Sequence, residues 1–173
     1  MHCDKHVVKM IIEYAQLMST AHRVLDGEEY IENKIVYGSF PYRYRKMKRW
    51  RLPDDRETIL YSATHINHPS AVWCRQSHAN YNWLYRHFKA LLNEYTYRYG
   101  KQHKCNDMAY GFFGLTFSPK NIPFTSFTPV HEAMAPEYIV SNDSVQNYRN
   151  YYKQGKKHLH KWTKREMPDW MAD

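Results

Sequence analysis

The sequence is poor in the residues that build an aliphatic core, a disulfide framework or a membrane span. Leucine, isoleucine, valine and phenylalanine make up only 32 of its 173 residues, a fraction that borders on disordered chains when the net charge is +8. Three scattered cysteines indicate a reducing intracellular setting. No run approaches the ~20 apolar residues of a membrane helix, and the first residues lack the apolar stretch of a signal peptide. We therefore expect no membrane partner.

Aromatic residues are plentiful and argue against disorder. The chain has 16 tyrosines and five tryptophans, whose side chains bury large areas and are scarce in disordered proteins. Its length is that of one domain, so residues 1–173 are predicted to form a single domain with an aromatic-rich core.

The first helical pattern runs from Val7 to Leu25, where apolar residues recur every three or four positions, and it ends at Asp26-Gly27. On this helix five polar side chains fall on one stripe. They are His6, Lys9, Glu13, Gln16 and Thr20. The stripe is either an ordinary solvated face or the lining of a cleft.

The segment 28–64 is less regular and contains the most basic run of the chain. Six of the ten residues in 42–51 are cationic and three are aromatic. Cations bind phosphates and aromatic faces stack on exposed bases, so this mixture favours a nucleic-acid surface. A solvated helix face or a linker is the alternative.

Two helices are predicted next, one beginning near Pro69 and breaking near Ser77, and a longer one over 78–99 that Gly100 ends. On the longer helix, polar groups recur beside the core face. These are Asn80, His87, Glu94 and Arg98. They suit a structural network between helices or, alternatively, contact with a substrate.

Residues 101–141 contain four prolines and lack periodicity, which predicts a long loop held down by its phenylalanines, namely Phe112, Phe113, Phe117, Phe124 and Phe127. A short helix with Val145, Tyr148 and Tyr152 opens the basic, aromatic C-terminal segment 142–173. The predicted fold class is mainly α, a single-domain helical bundle with a long Pro/Phe-rich loop.

Several chemistries lack their motifs. His65 and His68 form an H-x-x-H pair, but no second pair of ligands completes a zinc site, so we expect no metal. A cysteine nucleophile is disfavoured because Cys74 is expected to pack inside. Neither a phosphate-binding P-loop nor a dinucleotide fingerprint is present, so we expect no cofactor.

Glu13 is the carboxylate that stands out, because it lies among basic and histidine side chains. Such a carboxylate can stabilise a developing positive centre, or transfer a proton if burial raises its pKa. Cleavage of a glycosidic bond passes through an oxocarbenium-like transition state that a nearby carboxylate stabilises.

Three blocks of the chain resemble the small all-α pyrimidine-dimer DNA glycosylases with AP-lyase activity found in phages. The first is Asp4-Lys5-His6 followed by Glu13-Tyr14, the second runs from Tyr81 to Gly100, and the third is 151–156, Tyr-Tyr-Lys-Gln-Gly-Lys. They cover about a third of the chain and stand in the family's order. Two further stretches, 4–10 and 67–73, resemble uncharacterised proteins of tailed phages.

The resemblance implies a DNA-repair enzyme that acts on damaged pyrimidines in the cytoplasm of an infected bacterial host. In that family the amine exposed by removal of the initiator Met attacks the sugar, a catalytic Glu assists, and β-elimination nicks the strand. Glu13 would take the carboxylate role, and His6 would contact substrate or phosphate beside it. The chain departs from the family in two ways. Five residues precede His6, and Ile12 and Gln16 stand where the family has arginines. Either the N-terminus is truncated in this sequence, or the catalytic amine is absent and the activity is lost or altered.

DNA is the predicted partner, and the oligomeric state stays open, a monomer included. The predicted catalytic residues are Glu13 and His6. The predicted DNA contacts are Lys5, Lys9, Arg43, Arg45, Lys46, Arg49, His65, His68, Arg75, Asn80, Arg98, Tyr151, Tyr152, Lys153 and Lys156. One alternative is a non-catalytic nucleic-acid-binding phage accessory protein. Another is a nucleotide- or base-modifying enzyme that uses the pairs His65/His68 and Asn80/Glu94.

Overall fold

The computed structural model describes residues 2–38, 40–111 and 114–172, and about 49% of the chain is helical. The mainly α prediction is confirmed at that level. The helices are α1 (Asp4–Asp26), α2 (Arg56–Ile59), α3 (Pro69–Gln76), α4 (His78–Tyr99), α5 (Asn106–Tyr110) and α6 (Ser144–Gly155). Single 3₁₀ turns occupy Pro136–Tyr138, Lys157–Leu159 and Asp169–Met171.

Helices α1, α3 and α4 pack on one another around a shared core. Val7, Ile11 and Met18 of α1 are completely buried there, as are Tyr81 and Phe88 of α4. The apolar stripes of α1 and α4 are therefore buried as their periodicity predicts, each against the other helix.

Local signals set the helix boundaries. Pro69 occupies the first turn of α3, and the Ser77 hydroxyl accepts a hydrogen bond from the Asn80 amide at 3.0 Å to cap α4. Gly100 ends α4 with a left-handed φ of +67°, a conformation that costs glycine little. The predicted break near Ser77 and the predicted stop at Gly100 are confirmed.

The segment predicted to be irregular instead contains a β-hairpin. Strands β1 (Glu28–Val36) and β2 (Arg43–Arg51) pair antiparallel, from Glu28 opposite Arg51 to Val36 opposite Arg43. Every residue of β1 and most of β2 are exposed. The hairpin thus extends from the helical body with no other strand of the described chain beside it.

Arg23, in the last turn of α1, holds the base of the hairpin. Its guanidinium donates to the carbonyl of Trp50 at 2.9 Å, to that of Tyr61 at 2.6 Å and to that of Leu60 at 2.9 Å. It also pairs with the Glu57 carboxylate at 2.6 Å. A single buried cation therefore joins α1, β2 and the α2 region.

The segment 101–141 contains α5 and a 3₁₀ turn and otherwise has no regular structure over its described residues. Phe112 and Phe113 lie outside the described residues. Phe117, Phe124 and Phe127 are 60%, 85% and 47% exposed, so none of them is buried in the core. The Phe124 ring nevertheless stacks on His78 of α4 at 4.2 Å, and the Phe127 ring lies 5.8 Å from that of Trp73 of α3, so these two phenylalanines pack the loop on the helices as predicted. Hydrogen bonds also hold the loop, because the amides of Thr128 and Val140 donate to the side-chain oxygens of Asn80 and Asn147 at 2.9 Å.

Candidate functional site

The Tyr152 side chain of α6 meets His6 at the start of the polar stripe of α1, and this contact defines the candidate site. The His6 ring nitrogen Nδ1 is hydrogen-bonded to the Tyr152 hydroxyl. One and two turns further along α1, Lys9 Nζ lies 3.0 Å from the Glu13 carboxylate, with the two side chains 67% and 39% exposed. The predicted catalytic pair, His6 and Glu13, thus shares one partly open surface with Tyr152.

The Tyr152 hydroxyl is shared between two imidazoles. His2 Nδ1 lies 3.0 Å from the same oxygen that His6 contacts. A hydroxyl has one proton to donate, so at most one imidazole accepts from it and the other must donate its own Nδ1–H. At least one of the two histidines therefore carries its proton on Nδ1.

Burial keeps this cluster neutral. It lowers the pKa of His2 to about 3, assisted by the neighbouring His87 and His6. Burial also lowers the pKa of His6, and the charges of Lys156 and Lys9 act in the same direction while Glu13 opposes them. The pKa of Tyr152 is raised above its ordinary value, again chiefly by burial. At neutral pH the site therefore holds uncharged imidazoles beside a charged Lys9–Glu13 pair.

Aromatic rings enclose the inner side of the cluster. The His87 ring lies 5.6 Å from that of His2, 5.4 Å from Tyr14 and 5.2 Å from Trp83, measured between centroids. His87, which its sequence position assigns to either a structural network or a substrate contact on α4, is thus part of the site. Its pKa is lowered, first by burial.

A buried ion-pair network fixes the start of α1, the helix that carries His6 and Glu13. Asp4 accepts from Arg98 Nη1 at 2.9 Å and from the amide and hydroxyl of Thr163 at 2.9 and 2.8 Å. Arg98 Nε also donates to Glu94 at 2.8 Å, and Glu94 accepts from Arg165. The network ties the start of α1 to the end of α4 and to the C-terminal segment.

Two predicted DNA contacts are corrected by their burial. The Arg98 side chain is 0% exposed and its charge is matched by carboxylates. Asn80 is also fully buried, with its amide donating to Trp73 O at 2.9 Å and to Thr128 Oγ1 at 2.8 Å. Neither side chain is accessible to DNA, so both belong to the structural network that was the first interpretation of that stripe.

Four predicted DNA contacts lie together on β2, away from α6. They are Arg43, Arg45, Lys46 and Arg49. The tip of the hairpin exposes three aromatic rings, Tyr37, Phe40 and Tyr42, at 85%, 95% and 66%. The hairpin is therefore a second basic and aromatic surface, distinct from the His6–Tyr152 cluster.

Three further predicted DNA contacts lie in the loop before α3 or on α3 itself, where their side chains serve local structure. The His68 ring caps α3 by accepting from the Ser70 amide at 3.2 Å, and Arg75 Nη1 donates to the Ile66 carbonyl at 2.7 Å. His65 is exposed at a φ of +47°. These residues shape their own loop, which is joined to the far end of the α1 stripe by hydrogen bonds between Thr64 and Thr20.

The remaining predicted contacts fall near α6 or on α1. Lys156 Nζ lies 4.8 Å from the centroid of the Tyr151 ring, and Lys153 Nζ donates to the Ala172 carbonyl at 3.2 Å. Lys5 is exposed in the first turns of α1. Tyr152 of the C-terminal segment contacts His6, the charge of Lys156 acts on the same histidine, and the Trp170 ring lies 6.2 Å from that of Tyr152.

Neither of two surface depressions coincides with this cluster. One, of about 640 Å³, is lined by Asn93, Tyr97 and Tyr110 among others, and the other, of about 340 Å³, by His78, Lys120 and Phe124 among others. Within the described ranges, no three His, Cys, Asp or Glu side chains are grouped so as to hold a metal ion. No helix in the described part of the chain is long and apolar enough to cross a membrane.

Comparison with protein-family models, with curated proteins and with solved structures finds no match to this chain. Function must therefore be argued from the two surfaces themselves.

Proposed function

We propose that this protein binds nucleic acid, with DNA as the expected partner, and that the β1–β2 hairpin is the principal binding element. One observation carries the proposal: the two strands are exposed to solvent, and together they hold seven cationic side chains and three carboxylates. Ordinary hairpins bury one face, whereas this one leaves both faces in solvent.

The chemistry of the hairpin suits a phosphate-rich partner. Cations that contact phosphates release condensed counterions, which gives affinity and makes it depend on salt. The exposed rings at the tip, Tyr37, Phe40 and Tyr42, add flat apolar surfaces on which bases can stack. An acidic protein would satisfy the cations but would leave these rings without a flat partner.

The test is a salt titration with a matched control. Four cations of β2 are removed in one variant, R45Q/K46Q/K48Q/R49Q. Four exposed cations elsewhere are removed in the control, R86Q/K101Q/K104Q/K120Q. Fluorescence anisotropy with labelled duplex and single-stranded DNA is measured over a range of salt concentrations.

The hairpin variant should bind more weakly and, for each phosphate contact removed, lose roughly 0.9 from the log–log salt slope on the duplex and roughly 0.7 on the single strand. The control should keep most of the affinity. Equal weakening in both variants would mean that binding follows net charge alone, and no binding by the unmodified protein would refute the proposal.

A second candidate is a DNA glycosylase/AP lyase that acts on damaged pyrimidines. One observation favours it: the three blocks that resemble the phage enzymes contact one another. Asp4 of the first block pairs with Arg98 of the second, and His6 of the first is hydrogen-bonded to Tyr152 of the third. Glu13 lies on the same stripe, half exposed beside Lys9. In this candidate, Glu13 would stabilise positive charge at the sugar.

Nicking of a duplex that contains a single pyrimidine dimer tests this candidate, together with borohydride trapping of the imine. Glu13→Gln should lower the rate by about 100-fold or more, the range expected for a catalytic acid or base. Glu137→Gln, at an exposed glutamate far along the chain, should leave it unchanged. Absence of both nicking and trapping, in this chain and in a form extended at its N-terminus, would remove the enzyme and leave a non-catalytic accessory protein.

A base-modifying enzyme built on His65/His68 and Asn80/Glu94 has no comparable support. Asn80 and Glu94 are separated by 14 residues of α4, about 21 Å along a helix. Their hydrogen-bond partners are also different, namely the loop at Thr128 for Asn80 and two arginines for Glu94. These groups do not converge on one substrate.

A further inference from the structure

The cations of the hairpin are sorted by face. Side chains alternate along a strand, and directly paired residues project on the same side of a sheet. The register therefore places all four β2 arginines on one face and both β2 lysines on the other. We call the first the arginine face, with Arg43, Arg45, Arg49 and Arg51. The second is the lysine face, with Lys46 and Lys48 beside Ile31, Ile35, Tyr44 and Trp50.

Contacts within each face agree with this assignment. On the arginine face, Arg49 Nε lies 2.8 Å from Glu32, and the Arg51 guanidinium lies 5.1 Å from the centroid of the Tyr30 ring. On the lysine face, Lys48 Nζ lies 2.8 Å from Glu29. The two faces therefore differ in the kind of cation and not in the presence of a carboxylate.

Guanidinium groups and ammonium groups recognise different targets. An arginine fork donates two parallel hydrogen bonds and matches O6 and N7 of guanine, whereas lysine acts as a point charge. Lys34, opposite Arg45, adds one ammonium to the arginine face. Exposed aliphatic side chains occur on both faces, Ile31 and Ile35 on the lysine face at 53% and 39% and Val36 on the arginine face at 42%, so the kind of cation is what distinguishes them. The arginine face is the one suited to bases.

The hairpin also has the dimensions of a groove ligand. Nine residues in each strand span about 30 Å at the usual rise of a β-strand. The major groove of B-form DNA is ~12 Å wide and accepts a two-stranded ribbon. The major groove of A-form RNA is deep and narrow and excludes one.

We infer that the hairpin enters the major groove of B-form duplex DNA with its arginine face toward the bases, and that it prefers guanine-containing sites. This inference rests on the proposed nucleic-acid binding and specifies its ligand. The lysine face then points out of the groove, where Lys46 and Lys48 contribute only through long-range attraction.

Two double variants of the full chain separate the faces. R45Q/R49Q removes two cations from the arginine face, and K46Q/K48Q removes two from the lysine face of the same strand. Each also breaks one pair with a β1 carboxylate, Arg49–Glu32 or Lys48–Glu29. The charge change, the strand and the lost ion pair are thus matched. A third variant, R45K/R49K, keeps the charge and removes the guanidinium forks.

The probes are a GC-rich DNA duplex and an AT-only DNA duplex of about 20 base pairs, roughly two turns, and an RNA duplex with the GC-rich sequence. R45Q/R49Q should weaken binding to the GC-rich duplex at least about tenfold more than K46Q/K48Q does, because one bidentate arginine–guanine pair has that effect. R45K/R49K should keep affinity for the AT-only duplex and lose the preference for GC.

Equal weakening by the two glutamine variants would overturn the inference, as would equal affinity of the unmodified protein for RNA and DNA duplexes. Both results would leave nucleic-acid binding intact. Failure of the unmodified protein to bind any of the three probes would instead refute the proposed function itself.

Discussion

Arg98 Nη1, near the end of α4, lies 2.9 Å from Asp4 Oδ1 in the first turn of α1, and the arginine side chain of this pair is completely buried. A buried cation needs full compensation, and Asp4 supplies part of it while Glu94 supplies the rest. The pair also sets the position of Thr163, whose amide and hydroxyl both donate to Asp4. The start of α1 therefore depends on α4 and on the C-terminal segment together.

Arg98→Met should strongly destabilise the protein, because it leaves the Asp4 and Glu94 carboxylates without their buried partner. We expect the free energy of unfolding to fall by about 3–5 kcal/mol in urea titrations followed by circular dichroism. Lys9→Gln is the control, since it breaks a pair whose lysine is 67% exposed and should cost less than about 1 kcal/mol. Similar losses for the two variants would contradict the structural role of Arg98.

Stability should fall as the pH is lowered from 6.5 toward 4, and His22 is one cause. Burial lowers its pKa to about 4, and the nearby Arg56 charge acts in the same direction. Its Nδ1 faces Arg56 Nη1 at 2.9 Å and its Nε2 faces the Tyr81 hydroxyl at 2.9 Å. A proton on Nδ1 would therefore oppose the arginine.

In the unfolded chain His22 takes up a proton near the ordinary pKa of 6.5, so the unfolded state binds more protons in this window and stability is lost there. His22→Asn keeps an acceptor toward Arg56 and cannot titrate. Urea titrations at several pH values should show its slope reduced by up to about 1.4 kcal/mol per pH unit. An unchanged slope would show that His22 is not the group responsible.

The carboxylates of the buried ion pairs should make the stability depend on pH in a lower range than His22 does. Burial opposes the ionisation of Asp4, but hydrogen bonds from Thr163 and Arg98 outweigh it and lower its pKa below the ordinary 3.8. Asp4 thus stabilises the fold above pH 3.8 and ceases to do so as the pH falls through its lowered value. In Asp4→Asn, the free energy of unfolding should depend less steeply on pH below pH 4, as measured by urea titrations at several pH values. The same substitution should lower the free energy of unfolding at pH 7. A pH dependence below pH 4 as steep as that of the unmodified protein would contradict this role of Asp4.

Gly100→Ala should destabilise the end of α4. The glycine adopts a φ of +67°, and an added Cβ would meet no atom within 4 Å, so the cost is conformational and not steric. We expect about 1 kcal/mol, seen as a lower thermal midpoint. Gly100→Asn should cost less, because asparagine tolerates this conformation better. An equal or larger loss for asparagine would contradict the explanation.

The exposed ring at the tip of the hairpin should contribute to binding and not to stability. Phe40→Ser should weaken binding to single-stranded DNA about tenfold, the effect of losing one stacked base, with an unchanged thermal midpoint. Phe124→Ser is the control, because that ring is 85% exposed, close to the 95% of Phe40, but lies outside the hairpin. Equal affinities for the two variants would exclude the tip from the binding surface.

Sequence reasoning located the long helices because their signals are local. The apolar stripe from Val7 to Leu25, the cap at Ser77 and the glycine at position 100 each act within a few residues, and the structure places α1 and α4 accordingly. The short α6 was expected for the same reason and is present.

The hairpin escaped prediction because neither of its faces is buried. A half-buried strand shows alternating apolar and polar residues, but here Arg45 and Lys46 point to opposite faces and both are exposed. The run was recognised as basic and aromatic without its strand geometry. The pairing that sorts arginine from lysine depends on register, which composition does not encode.

The candidate site was half predicted. His6 and Glu13 were placed on one stripe by helical spacing, but the contact of His6 with Tyr152 joins residues 146 positions apart. His87 escaped for the same reason, since it enters the cluster through its ring contacts with His2 and Tyr14. Burial of Arg98 and Asn80 likewise reflects packing between helices, which a single helical stripe does not reveal.

A two-stranded sheet that lacks a buried face has little to hold it closed. Its amide groups should exchange with solvent deuterium through local opening, with a free energy well below that of global unfolding. The helical amides beside Phe88 and Ile11 should exchange slowly. Deuterium uptake by 28–51 would then slow when a ligand occupies the hairpin, so mass spectrometry of bound and free protein would show which strand the ligand covers.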